Sequence, residues 1–297
     1  AGGTGCDLFE VCSDVASDCV SSFCSDGSAV LKQLDSMCPQ NGVLLFLGAG
    51  NIQDVASDYV EILSKNKRSG SVDLLANLAG NLTADTVLRK EEALANKTTL
   101  RVGGSADYYA EPANEADLQV LLREASKLSL PVRFLGRGSN LIVPDSGVRG
   151  LVIRLNQPFF QQLDVMEDGR VRARAGVRLK ELCGFTRRNE LGGFEFLEGI
   201  PGNVGGALRM NAGAMGGWIS DVISEVVLMD YHGNIFSVPH EQLHFGYRHC
   251  RELLDAIGLV VIFKTGEASS LQSIQHTMDA YQSSRKESQP RQPSAGC

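Results

Sequence analysis

Three clusters in this 297-residue chain have the residue types and spacing to do chemistry. The first is Gly136-Arg137-Gly138-Ser139-Asn140, set between the apolar runs 132–135 and 141–143. Two glycines one residue apart let backbone N–H groups converge on a point. Ser139 and Asn140 add side-chain donors, which makes a nest for a phosphate or pyrophosphate. The same residues also suit an ordinary glycine hairpin of strand, turn and strand, and the stretch by itself does not choose between the two. The second cluster runs from Gly199 to Gly217, where Gly202, Gly205, Gly206, Gly213 and Gly216 are interleaved with Ile200, Pro201, Val204, Leu208 and Met210. A flexible linker would not carry those apolar residues, whereas backbone packed closely against a flat ligand accounts for both. The third cluster is Phe245-Gly246-Tyr247-Arg248. A guanidinium can hold a carboxylate in a bidentate fork and stabilise charge developing on it. Out of context Arg248 equally suits a surface salt bridge, and Tyr247 suits either a ligand hydrogen bond or core packing.

The elements that must position these clusters follow from periodicity. Asn114 has the type and place of an N-cap, and Leu118, Leu121, Leu122, Ala125 and Leu128 follow at helical spacing up to Pro131. A helix therefore feeds the strand that carries the first glycine cluster. Gly103-Gly104 turns into a strand, 151–155 reads as another, and 171–177 alternates Arg with small apolar residues. Residues 179–191 form an amphipathic helix closed by Gly192-Gly193. Residues 222–229 and 235–238 read as a hairpin around His232-Gly233-Asn234, followed by a strand at 259–264 and a helix at 269–284. Residues 1–63 have another texture: helical patterns at 15–23 and 29–37, a continuous apolar run at 42–48, then Gly48-Ala49-Gly50 opening a helix at 53–63. That is part of an α/β unit with a buried parallel strand. Residues 64–95, with Lys65-Asn66-Lys67-Arg68-Ser69-Gly70-Ser71, read as a linker holding one short helix near 74–82.

Apolar residues make up 43% of the chain and charged ones 21%, so most of it should pack a core. The net charge of −7 argues against a general nucleic-acid binder. Residues 1–63 hold nine acids against Lys32, so the remainder is nearly neutral and suits a small anionic ligand. No apolar run is long enough to span a membrane, and the start carries no signal-peptide pattern. The eight cysteines include no CxxC pair and no His lies at zinc-finger spacing, so no metal site is expected and free thiols in a cytoplasmic protein are. The chain starts without Met and ends at Pro293-Ser294-Ala295-Gly296-Cys297; both ends are expected to be cuts in a longer protein.

Residues 96–297 resemble the UDP-N-acetylenolpyruvoylglucosamine reductase family. The resemblance rests on Thr99-Leu-Arg-Val-Gly-Gly-Ser-Ala-Asp107, Leu135-Gly-Arg-Gly-Ser-Asn-Leu141, Gly199-Ile-Pro-Gly-Asn-Val-Gly-Gly-Ala207 with Met210-Asn-Ala-Gly213, Phe245-Gly-Tyr-Arg248, and Gln289-Pro290 with Pro293-Ser-Ala-Gly296. It implies an α+β chain with an FAD-binding fold of the vanillyl-alcohol-oxidase (PCMH) type in two subdomains over 96–266. An incomplete substrate domain over 267–297 and an N-terminal α/β fragment complete the expected plan. The compact segment after Phe245 resembles the shorter class of the family. Residues 42–63 resemble the end of UDP-N-acetylmuramate–alanine ligase, with Asn51 in place of the usual Asp, which implies a fusion of the two enzymes.

The resemblance further implies FAD as cofactor, NADPH as reductant and UDP-N-acetylglucosamine enolpyruvate as substrate, with no nucleic acid or membrane partner. It assigns the FAD pyrophosphate to Gly136, Arg137, Gly138, Ser139 and Asn140. It assigns the ring and ribityl region to Gly199, Ile200, Pro201, Gly202, Val204 and Gly205 with Asn211, Ala212 and Gly213. Arg248 matches the family's catalytic arginine, Tyr247 and Arg285 are expected to contact substrate, and Cys297 falls where many members have a proton-donating serine. The family also uses a Glu beyond this motif, so turnover by residues 1–297 alone is expected to be weak or absent. Two alternatives remain: another FAD oxidoreductase of this fold acting on a sugar or hydroxy acid, and a non-catalytic flavin-binding module.

Overall fold

The computed structural model describes residues 74–78, 80–266, 269–289 and 292–295, all within the compact unit Val72–Cys297. The expectations for residues 1–63, and the proton donor expected at Cys297, lie outside the described residues.

A short helix α1 (Leu74–Leu78) comes first, with Leu74 and Leu78 buried. Strand β1 (Val87–Ala93) then pairs antiparallel with β2 (Ser105–Glu111) from Val87↔Glu111 to Ala93↔Ser105. The sheet thus begins inside the stretch expected as linker. The sequence Val-Leu-Arg-Lys-Glu-Glu-Ala hides this because an edge strand is free to be charged on its open side. Helix α2 (Glu115–Lys127) is capped by Asn114, whose side chain accepts from the Asp117 N–H at 2.9 Å. It buries Leu118, Leu121, Leu122 and Ala125, the residues whose spacing marked the helix. Asp117 is buried too, but it accepts from the Thr83 N–H at 3.2 Å and the Thr86 hydroxyl at 2.6 Å, so its carboxylate is satisfied.

Strands β3 (Val132–Phe134) and β4 (Val148–Ile153) run parallel, in the order β1-β2-β4-β3. This excludes the simple glycine hairpin, since a two-residue turn joins only antiparallel strands. Residues 141–143, expected as the second strand, are not one: Ile142 is exposed and Val143 is drawn down against Gly103.

The second sheet holds β5 (Leu163–Val165), β6 (Val171–Arg174), β9 (Ile223–Asp230), β10 (Ile235–Pro239) and β13 (Ala256–Phe263), in the order β10-β9-β13-β6-β5. The β9–β10 hairpin forms as expected, with Ile235 opposite Met229. Every residue of β13 is buried, which suits the central strand of a sheet covered on both faces. Against this sheet lie α3 (Leu179–Arg188) and α4 (Val204–Arg209), the short ribbon β7 (Gly213–Ala214) with β8 (Gly217–Trp218), and α5 (Ile219–Val222). A second ribbon, β11 (Phe245–Gly246) with β12 (His249–Cys250), follows. Helix α6 (Leu271–Ser288), expected to open a substrate domain, packs Ile274 and Met278 into the core that holds Phe194, Phe263 and Leu208.

Candidate active site

The two glycine clusters face each other. The Ser139 hydroxyl donates to the Pro201 carbonyl at 2.8 Å, and Gly136 Cα lies where an added Cβ would sit 3.6 Å from Asn203 Oδ1. Gly138 has φ +64°, and a Cβ there would come within 2.7 Å of Thr98 Cα. The Thr99 N–H donates to its carbonyl at 2.9 Å, so the loop is held at this point by backbone. Glycine is therefore required at 138 for two reasons: the left-handed φ and the close approach. In the second cluster, Gly202 accepts from the Leu179 N–H at 3.0 Å, while Val204 and Gly205 donate to the carbonyls of Val177 and Ala175. These bonds seat the start of α4 on the second sheet.

Between the clusters and the two sheets lies a cavity of about 460 Å³. Gly136, Asn203, Gly205 and Gly206 line one part of it, and Ala256, Ile257 and Gly258 of β13 close another. Arg133, Arg154 and Arg209 are among the residues that line it. Apolar walls, bare glycine backbone and three arginines in the lining suit an elongated anionic ligand with a flat ring. Sequence reading did not pick out Arg133 or Arg154. Arg154 ends an apolar strand and Arg133 sits inside one, and only the parallel pairing of β3 with β4 brings both to one cavity. Of the expected cofactor residues, Gly136 and Gly205 line the cavity. Arg137 and Asn140 are exposed beside it, and Ala212 and Gly213 lie further along the chain past α4.

Arg248 occupies the tip of the β11–β12 ribbon, in a two-residue turn with Tyr247. Its φ is +56°, a conformation that costs a non-glycine residue on the order of 1–2 kcal/mol. Its guanidinium stands 5.1 Å from the Tyr247 ring centre. Tyr247 is 78% exposed, so it is not core, and it meets the Trp218 ring edge-on at 6.2 Å. Arg285 of α6 lies against the second cluster, where a Cβ on Gly199 would approach its Cδ at 2.8 Å. The Arg285 Nε and Nη2 atoms are buried without a hydrogen-bond partner. Buried guanidinium nitrogens left unpaired are costly, and an anion bound beside Gly199 would satisfy them.

The base of the ribbon is closed by an acid. Glu252 accepts from the His244 N–H at 3.0 Å and contacts His244 Nδ1 at 2.7 Å. Burial pushes the Glu252 carboxyl up, but the hydrogen bonds from His244 outweigh it and hold the group at about 2. Cys250 is the converse: burial and the neighbouring Glu252 push its thiol up to about 12, so it stays protonated and is no nucleophile. Because the folded Glu252 titrates below the unfolded one, its contribution is present above about pH 4.5 and disappears as pH falls towards about 2. Thermal melts across that window should show the stability gap between the native protein and Glu252→Gln closing as pH falls. A gap independent of pH would contradict the depressed carboxyl.

Two sheets around a glycine-lined cavity, with an arginine-tipped ribbon nearby, suit a protein that binds a dinucleotide cofactor such as FAD. Residues 106–238 match the FAD binding domain family. The chain is 37% identical over 220 residues to the UDP-N-acetylenolpyruvoylglucosamine reductase of Pelobacter propionicus, covering 74% of this chain and 73% of that protein. It is 40% identical over 217 residues to the enzyme of the same name from Lactococcus lactis, covering 71% and 70%. The crystal structure of that reductase from Thermus caldophilus superposes with a TM-score of 0.61 at 33% identity, covering 71% of this chain and 73% of the other. The chain belongs to the UDP-N-acetylenolpyruvoylglucosamine reductase family.

Proposed function

We propose that this protein reduces UDP-N-acetylglucosamine enolpyruvate to UDP-N-acetylmuramate with NADPH, as a cytoplasmic step of peptidoglycan synthesis. The observation that carries this is the identity with reductases of that name across about three quarters of the chain. FAD, when bound, relays hydride from the nicotinamide to the vinyl ether double bond. Gly136, Gly205 and Gly206 offer backbone to it, and Arg133, Arg154 and Arg209 offer charge. Arg248 grips the enolpyruvyl carboxylate and steadies the negative charge that hydride addition leaves on the neighbouring carbon. Arg285, with its two unpaired nitrogens, takes the diphosphate or carboxylate of the nucleotide sugar. Cys297 then delivers a proton to that carbon. A thiol near pKa 8.5 is a much stronger acid than the serine hydroxyl it replaces.

In the gene-encoded chain, Cys297→Ala should still allow NADPH to bleach the flavin, while reoxidation by the enolpyruvyl substrate falls by about 10²-fold or more. Reoxidation at the native rate would remove Cys297 from the mechanism. Residues 1–63 we assign to the tail of a muramate–alanine ligase domain and 64–95 to the join, apart from β1 (Val87–Ala93), which belongs with the first sheet; 96–266 we assign to the FAD-binding domain and 267–297 to the start of the substrate domain. The resemblance of 42–63 to the ligase supports this division, and an upstream reading frame without ligase motifs would refute it.

A further inference from the structure

Asn211, one of the expected cofactor contacts, has both polar side-chain atoms bonded within the protein. Its Nδ2 donates to the Gly246 carbonyl at 3.2 Å, and its Oδ1 accepts from the Ser220 N–H at 3.3 Å. The residue is 6% exposed and has φ +38°, an uncommon conformation that asparagine tolerates better than most residues. Two positions earlier, Arg209 Nη1 donates to the Cys250 carbonyl at 3.4 Å. Gly246 and Cys250 sit on opposite arms of the ribbon that ends in Arg248. That ribbon has two residue pairs, Phe245↔Cys250 and Gly246↔His249, and a ribbon so short does not hold its shape unaided. It also carries a strained φ at its tip.

We propose that Asn211 is a positioning residue: with Arg209 it clamps the β11–β12 ribbon to the end of α4 and so aims Arg248 at the substrate carboxylate. The inference rests on the reading of Arg248 as the carboxylate ligand. The end of α4 lies on the cofactor cavity through Arg209, so the clamp fixes the arginine tip relative to the flavin site. The Trp218–Tyr247 contact provides a reporter, because Trp218 is the only tryptophan in the chain.

The test is Asn211→Asp. It retains the acceptor for Ser220 and the tolerance for positive φ, but sets a carboxylate oxygen against the Gly246 carbonyl. The expected result is native FAD content and a shifted Trp218 emission. Tryptic cleavage at the Arg248–His249 bond and KM for the enolpyruvyl nucleotide should each rise about tenfold, the order set by one lost hydrogen bond. Asn211→Gly, which accepts the φ and lacks both contacts, should behave alike and serves if the first variant does not fold. Native cleavage and emission in a folded variant would overturn the clamp. Lost FAD with native cleavage would make Asn211 a cofactor contact instead. Faster cleavage with an unchanged KM would leave the clamp standing and remove Arg248 from substrate binding.

Discussion

Arg248→Lys is expected to lower the rate of flavin reoxidation by the enolpyruvyl substrate about 10²–10³-fold, with native FAD content, because a point-charge ammonium cannot reproduce the guanidinium fork. Lysine keeps the charge and is no worse suited than arginine to φ +56°, so the backbone at the tip is unchanged and the loss reports the fork itself. Arg248→Gly sharpens the test. Glycine occupies that φ without cost, so the protein should gain on the order of 1 kcal/mol in stability while losing the same activity or more. A residue held in strain whose removal stabilises the fold is kept for its chemistry. Stopped-flow reoxidation and thermal melts on the same preparations decide the matter. A Lys variant that reoxidises at the native rate would return Arg248 to the surface salt bridge that its sequence context also allowed.

The second large effect concerns the cavity. Gly206 lies in α4 and lines the cavity, and a Cβ added there meets nothing within 4 Å. Gly206→Leu should therefore fold, with a gain of about 0.5–1 kcal/mol in helix propensity. The side chain enters the space where cofactor is proposed to sit. Overpacking of a close-fitted site costs roughly 1–3 kcal/mol, so FAD affinity should fall about 10- to 100-fold and the protein should purify with little yellow colour. Flavin absorbance of the purified protein and a melt of the apoprotein give the two readings. Native flavin content would move the cofactor out of this cavity.

The sequence was legible where local rules act. Asn114 capped its helix, and the β9–β10 hairpin formed around His232-Gly233-Asn234. It was not legible where sequence-distant partners decide. Strand β1 carries charges because one edge is open, and residues 141–143 look like a strand yet leave Ile142 exposed. The site divides in the same way. The glycine clusters announced a ligand through backbone alone. Arg154 joined Arg133 at the cavity only through the parallel pairing of β3 and β4, and Asn211 met its partner 35 residues on.

Strand β13 is late in the chain and central in its sheet, bonded to β9 on one side and β6 on the other. A nascent chain that has emerged only as far as Leu253 holds β5–β6 and β9–β10 as two separate hairpins with no strand between them. Because Ala256, Ile257 and Gly258 also wall the cavity, the pocket is completed by the same insertion that completes the sheet. Such long-range pairing is slow to form, so cofactor capture on the ribosome must wait for nearly the whole domain to be synthesised.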